Sequence, residues 1–292
     1  MRAACRAAGA VAVLMLAACA STGPAGGSSP ATSAARTPRP APSASVRTTA
    51  PPPPEVLVSQ FRSADGAVIT VARFAGAVIY RLHSGSEDPG AAALSVVSAG
   101  PAISGPERSR LLAAFNGGFL LAAGAGGYEQ EGHVISPLRP GLASLVIDGS
   151  GAVHIGVWGA GLPQPGEAVF SVRQNLGLLV RQGHATLAAG NWTVWGATLG
   201  GGESVARSGL GQDPAGQLIY AGSMAATPSD LAAALVNAGA RTAMELDINP
   251  EWVQLDVARA QGRRLRAAIP GQARPADQYL VGWTRDFITV LG

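Results

Sequence analysis

Glu245 and Asp247 stand two residues apart in the segment Ala243-Met244-Glu245-Leu246-Asp247-Ile248. Side chains alternate along a strand, so both carboxylates take one face, roughly 6 to 7 Å apart, and Met244, Leu246 and Ile248 take the other. Repulsion and partial burial drive the two pKa values apart, which separates an acid from a base or nucleophile. This is equipment for hydrolysis, and Glu245 and Asp247 are the candidate catalytic residues. The competing reading is that one of them forms a fixed ion pair with Arg207, Arg241 or another arginine.

Two further polar segments interrupt apolar sequence. Asn116-Gly117-Gly118-Phe119 follows Leu111-Leu112-Ala113-Ala114-Phe115. Asn-Gly is a hairpin-turn signal, and paired glycines also bare backbone N–H groups to an anionic or sugar ligand. In Ala206-Arg207-Ser208-Gly209-Leu210-Gly211 an arginine beside a hydroxyl could make a forked phosphate contact. An arginine on an exposed loop is the plainer alternative.

The elements that must position these groups are clearest from 217 to 248. Leu218-Ile219-Tyr220-Ala221 reads as a strand. Thr227-Pro228-Ser229-Asp230 then opens a helix, with Thr as N-cap, Pro at the first helical position and an acid at the third. Leu231 to Val236 continues it and Gly239 ends it. A second strand follows over 243–248. Strand, helix, strand with short connections predicts a right-handed crossover between parallel strands, with a site at their carboxyl ends. The expected fold class is therefore α/β, or mixed α+β. It would be a single compact domain over 55–292 whose mixed sheet includes a parallel strand-helix-strand crossover.

In this order the segments resemble the phosphodiester glycosidase family, of the uncovering-enzyme type. That family carries an Asn-Gly-Gly-aromatic segment, an Arg-Ser/Thr-x-x-Gly segment, a capped helix and a strand ending in Leu-Asp. The matching positions are Asn116 to Phe119, Arg207 to Gly211, the helix opened by Thr227, and Leu246-Asp247. Gln174-Asn175-Leu176-Gly177 with the strand Leu178-Leu179-Val180 resembles the family's middle segment, and Arg285-Asp286-Phe287 its closing strand. The resemblance implies hydrolysis of a sugar-1-phosphodiester. Asn116, Gly117, Gly118, Asn175, Arg207 and Ser208 would then bind substrate, and Glu245 and Asp247 would divide the nucleophilic, basic and sugar-orienting roles. Arg207, by neutralising the departing phosphate, could replace much of a general acid's work.

One departure stands out. Where the family follows Leu-Asp with Gly-Gly-Gly-Ser, this chain has Ile248-Asn249-Pro250-Glu251-Trp252. Pro250 removes a backbone donor, and Glu251 adds negative charge where a phosphate would sit. Trp252 is either a stacking wall for a sugar ring or core.

Residues 1–18 have the form of a bacterial lipoprotein signal. Arg2 and Arg6 precede an apolar run that is too short to span a bilayer, and Leu16-Ala17-Ala18-Cys19 ends it as a lipobox. Cys19 would be the acylated N-terminus. Residues 19–54 are almost wholly Ala, Ser, Thr, Pro and Gly, a composition that reads as a disordered tether. The expected location is the extracytoplasmic face of the cell membrane, held by a lipid anchor.

All five arginines of residues 1–54 lie in these segments, so 16 of the 21 basic residues face 18 acidic ones in the domain, and the overall charge of +3 gives no argument for nucleic acid. Both cysteines, Cys5 and Cys19, fall in the signal region, and the chain has no lysine. Disulfides, cysteine nucleophiles, P-loops and Schiff-base chemistry are excluded from the domain. Gly202-Glu203-Ser204-Val205-Ala206 lacks the last glycine of a nucleophile elbow. The four histidines, His83, His133, His154 and His184, have no zinc-ligand spacing. Asp247, Asn249 and Glu251 only loosely follow a calcium loop. No cofactor and no metal is expected.

The reading that results is a membrane-anchored hydrolase of sugar-1-phosphodiesters in cell-envelope or exopolysaccharide glycans. The alternative is a catalytically silent glycan-binding lipoprotein.

Overall fold

In the computed structural model, residues 52–196, 201–259 and 264–292 are described. The signal, Cys19 and all but the last residues of the tether lie outside them. Strands account for 42% and helices for 15%, so the expectation of an α/β fold is wrong and the fold is mostly β.

Among the described residues three sheets are built from eighteen strands. The first has the order β1 (Glu55–Arg62), β2 (Val68–Ala75), β14 (Leu218–Ala226), β13 (Val205–Gln212), β15 (Thr242–Glu245), β11 (Leu178–Arg181) and β12 (His184–Ala185). The second runs β6 (His133–Ser136), β5 (Tyr128–Gln130), β10 (Val169–Gln174), β7 (Ala143–Asp148), β8 (Val153–Trp158) and β9 (Gly161–Leu162). The third runs β17 (Arg264–Ala267), β16 (Leu255–Arg259), β4 (Leu111–Asn116), β18 (Phe287–Leu291) and β3 (Ile79–His83). Among the described residues four α-helices complete the fold: α1 (Ala91–Leu94), α2 (Gly105–Arg110), α3 (Pro228–Asn237) and α4 (Gln278–Val281). None of the described helices is long and apolar enough to cross a membrane.

The predicted crossover fails in one particular. β14 and β15 do flank α3, but β13 lies between them and pairs antiparallel with each. No parallel pair of neighbours forms there. The misreading has a physical origin: these strands are buried on both faces, so they read as continuous apolar runs, the pattern usual for parallel sheets. Alternation survives inside the runs. On β14, Leu218 and Tyr220 enter the core shared by the three sheets, and Ile219 and Ala221 face the cluster under α3. On β18, Ile288 and Val290 enter the shared core, and Phe287 and Leu291 the outer cluster with Tyr279.

Helix α3 is capped as its sequence predicts. Thr227 accepts from the Asp230 backbone N–H, and Asp230 accepts in return from the Thr227 N–H, giving a full capping box. Gly239, at φ 94°, closes the other end. The helix lies close on β13 because that strand is glycine-rich. A Cβ at Gly211 would fall 2.6 Å from that of Ala240, and one at Gly209 would meet Leu231 and Leu235 at 3.1 and 3.2 Å. The Arg207–Gly211 glycines thus serve helix packing within a strand, and the segment is not a phosphate-binding loop.

Candidate active site

The strand β4 ends at Asn116, and Gly117 and Gly118 carry the chain away from it; they do not turn a hairpin, since the partners of β4 are β16 and β18. Their role is close approach. A Cβ on Gly117 would fall 1.9 Å from Asp286 Oδ2, and one on Gly118 would fall 2.4 Å from Asn175 Oδ1 and 2.8 Å from Arg173 Cζ. Three buried polar side chains therefore press against this turn. Asn175 Oδ1 accepts from the Phe119 N–H at 3.2 Å. Arg173 Nε donates to Asp286 Oδ2 at 2.7 Å, and its Nη2 donates to the Phe119 carbonyl. Gly117 N–H is bonded to the Asp286 carbonyl at 2.9 Å.

Asn116 connects this cluster to the first sheet. Its Oδ1 accepts from Tyr220 OH at 2.9 Å and from the Gln254 N–H at 3.3 Å, and its Nδ2 donates to Ser208 Oγ at 3.0 Å. Ser208 Oγ in turn accepts from the Asp247 N–H at 3.2 Å. With the Ser208 N–H bonded to the Asp247 carbonyl and the Leu246 N–H to the Ser208 carbonyl, pairing with β13 runs past the end of β15. Asp247 is thereby fixed beside Asn116.

The two carboxylates of the sequence pair have different surroundings. Glu245 and Arg207 are fully buried against one another, with Nη1 to Oε1 at 2.7 Å. Arg207 spends its other donors on the carbonyls of Ala226, Trp195 and Glu203. Among the described residues Glu245 Oε2 has no partner. Burial raises the Glu245 pKa, against the pull of Arg207. This is the fixed ion pair that the sequence left open, and it withholds Arg207 from a phosphate.

Asp247 instead opens onto a cleft of about 340 Å³ together with Phe119, Leu176, Ile248 and Arg285, and onto a small adjoining recess lined by Asn116, Gly118, Trp252 and Asp286. Its Oδ1 accepts from the N–H groups of Ile248 and Asn249 at 2.7 and 3.1 Å, and its Oδ2 from Arg285 Nη1 at 3.1 Å. Burial pushes Asp247 up to about 6, against Arg285 and those N–H groups. Asp286 is also raised by burial, with Arg173 opposing.

Of the sequence-predicted residues, Asn116, Gly117, Gly118, Asn175, Ser208 and Asp247 converge, with Arg207 and Glu245 behind them. Three residues of the cluster, Arg173, Arg285 and Asp286, were not among the candidate site residues. The latter two carried a signal, as the Arg285-Asp286-Phe287 motif; Arg173 had none. The oxygen set Asp247, Asn249 and Glu251 is committed elsewhere. Asn249 Oδ1 accepts from the Glu251 N–H, and Glu251 Oε2 pairs with Arg274 at 3.0 Å. Among the described residues no group of three His, Cys, Asp or Glu is placed to hold a metal. A second recess, about 360 Å³, lies by Arg81, Glu107 and Asp148. There Glu107 is bonded to His83, Thr289 and Arg81, and Asp148 to its own turn.

Neither the protein-family models nor the curated proteins match this chain. Among solved structures it is similar to the zebrafish N-acetylglucosamine-1-phosphodiester alpha-N-acetylglucosaminidase catalytic domain auto-inhibited by its pro-peptide. The match covers 84% of each chain at 14% identity, with a TM-score of 0.51. A hypothetical protein from Synechocystis matches over 82% of this chain and 64% of its own, at 14% identity and a TM-score of 0.46. The chain shares a distant fold relationship with the zebrafish domain.

Proposed function

We propose that residues 55–292 form a hydrolase of sugar-1-phosphodiesters in envelope or exported glycans. In this reading the domain is exported by the signal over 1–18, and is held at the membrane by acylated Cys19 and the tether over 19–54. The observation that carries the reading is the Asp247–Arg285 pair at the cleft, a carboxylate and a guanidinium side by side beneath a glycine turn.

The division of labour follows from burial. Arg285 takes the phosphodiester anion, the role that Arg207 is too enclosed to fill. Freed from Arg285, Asp247 is left with its backbone donors and faces the anomeric carbon, where it stabilises positive charge or activates water. Water adds to that carbon and yields its proton to Asp247, the bond to the phosphate oxygen breaks, and a phosphate monoester departs with the bonding pair. Such a leaving group needs little protonation, so one carboxylate at the cleft suffices. Glu245 and Arg207 act as positioning residues, bracing β13 against β15. Asn116, Gly118 and Asn175 shape the sugar side.

The test is turnover of a panel of sugar-1-phosphodiesters by the purified protein beside Asp247→Asn. Turnover by the parent that is lost in a folded Asp247→Asn supports the hydrolase. Binding without turnover by the parent supports the silent glycan-binding lipoprotein. Labelled fatty acid incorporated by the parent and absent from Cys19→Ser tests the anchor.

A further inference from the structure

The second recess shares no lining residue with the cleft of Asp247. It holds about 360 Å³ where β3 and β18 of the third sheet meet β7 and β10 of the second, over a floor of Leu82, Ile147 and Leu291. Strand β18 connects it to the candidate active site. Asp286 precedes the strand's first residue and Leu291 is its last, roughly 17 Å of extended chain.

Three features shape this recess for a ligand. Phe170 is the extra residue of a β-bulge, because the register between β10 and β7 passes from Val169 opposite Asp148 to Ser171 opposite Ile147. A bulge re-aims a side chain, and Phe170 stands 39% exposed at the wall of the recess. Asp148 is oriented by its own turn. Its Oδ1 accepts from the N–H groups of Ser150 and Ala152 at 2.8 and 3.0 Å and from the Ser150 hydroxyl at 2.6 Å, which leaves Oδ2 for a ligand. The two guanidinium groups are held as well. Arg81 is spread between Glu107 at 3.5 Å and Glu131 at 3.1 Å, and Arg110 Nε donates to the Gly292 carbonyl at 2.7 Å.

The charges restrict what fits. Arg81 and Arg110 line the recess against Glu107 and Asp148, so their formal charges cancel and neither an anion such as phosphate nor a cation is favoured. Glu107 is already bonded to His83, Thr289 and Arg81. Asp148 is thus the lining carboxylate with an oxygen to offer. An ammonium group, with three donors, would be poorly satisfied there. A sugar hydroxyl needs one acceptor and one donor, and Asp148 and Arg110 supply them. The bulged ring and the apolar floor suit the C–H face of a pyranose.

We propose that this recess is a second, non-catalytic binding site for a neutral glycan, in which Phe170 stacks on a sugar ring and Asp148 and Arg110 bond its hydroxyls. The site holds sugar and does no chemistry on it, so it stands whether or not the cleft of Asp247 hydrolyses anything. A glycan long enough to reach that cleft would engage both places and gain avidity.

Amide chemical-shift mapping by NMR on the purified, isotope-labelled protein tests this. The probes are trisaccharides of glucose, mannose, galactose and N-acetylglucosamine, with glycylglycine and inorganic phosphate as the zwitterionic and anionic rivals. The expected result is that at least one trisaccharide saturably shifts the amides of Ile147 to Gly151 and of Phe170, with a Kd of about 1 mM or tighter, and that neither rival does. Phe170→Ala should weaken that binding about ten-fold, Phe170→Trp should retain it, and Asp148→Asn should weaken it several-fold while keeping the turn, whose acceptor oxygen survives. Shifts at Asp247 and Ile248, if the same sugar also enters the cleft, should be the same in all three variants. No saturable shift at the recess with any trisaccharide, an affinity unmoved by both Phe170→Ala and Asp148→Asn, or binding of glycylglycine or phosphate there as tight as that of the sugar would overturn the site.

Discussion

Two ion pairs stand two residues apart along one chain segment. Arg207–Glu245 is closed to solvent on both sides, at 2.7 Å, with every guanidinium nitrogen engaged by protein. Arg285–Asp247 is looser at 3.1 Å, with its arginine side chain 12% exposed and both partners lining the cleft. The sequence motif treats the two carboxylates alike; the fold closes one inside the core and sets the other at the wall of the cleft. A buried pair can be broken only at large cost, whereas a pair at a cleft can exchange a partner for a substrate.

The largest effect should come from breaking the closed pair. Arg207→Ala leaves the Glu245 carboxylate in the core without its cation, a loss of about 3 to 5 kcal/mol in urea unfolding. Arg207→Met with Glu245→Leu should recover most of that loss. If the double replacement is as unstable as the single one, the pair is not the unit of stability that its geometry implies.

Asp247→Asn should give the opposite profile. Turnover should fall about 10²- to 10³-fold, the scale of losing a group that acts on the transition state. Stability should not fall with it. The folded pKa of Asp247 is raised from 3.8 to about 6, so the native state holds the proton more tightly than the unfolded one, and ionisation costs stability as pH rises from about 4 to about 6. Above pH 6 the neutral amide should therefore be more stable than the parent, by about 3 kcal/mol, with the difference vanishing below pH 4. The parent's rate should drop about ten-fold per pH unit below 6, as the carboxylate protonates. A parent rate that is flat from pH 4.5 to 7 would remove Asp247 from the chemistry.

Between the two pairs and the glycine turn the fit is steric. Gly118→Ala puts a methyl 2.4 Å from Asn175 Oδ1, and both neighbours are buried and bonded. We expect about 1 to 3 kcal/mol of destabilisation, with turnover reduced because Asn175 and Arg173 must shift. An unchanged melting temperature would mean that the turn is softer than its contacts suggest.

The uneven legibility of the sequence has physical reasons. Helix α3 was readable to its caps, because Thr227, Asp230 and Gly239 act locally. The short motifs contained most of the cluster, because Asn175 bonds to the Phe119 N–H and Asp247 to Ser208, Ile248 and Asn249, positions in or directly beside those motifs. Topology was not readable, since strands buried on both faces look the same whether their neighbours run parallel or antiparallel, and nothing local says that β13 separates β14 from β15. Burial of Arg207 was hidden for the same reason. Its three carbonyl acceptors come from residues 195, 203 and 226, which only the folded sheet and its connections bring together. The Trp252–Arg274–Trp283 stack joins turns that lie on either side of β16, β17 and α4 and leaves no periodic trace.

The smallest effect expected is the most discriminating for the comparison. Ser208 follows Arg207 in the chain and bonds to Asp247 through both backbone and side chain, so it joins the closed pair to the open one. Ser208→Ala removes the Oγ bonds to Asn116 and to the Asp247 N–H while leaving the backbone pairing, at a cost of about 1 kcal/mol. If the cleft carboxylate works because a rigid base aims it, the change should lower kcat several-fold with little change in KM, since Arg285, the proposed phosphate ligand, is untouched. If Asp247 is held by its own turn through Ile248 and Asn249, kcat should stay at the parent's value and only the melting temperature should move. The first outcome would tie the reactive carboxylate to the sheet behind it; the second would make the loop from Ile248 onward a self-sufficient part of the site.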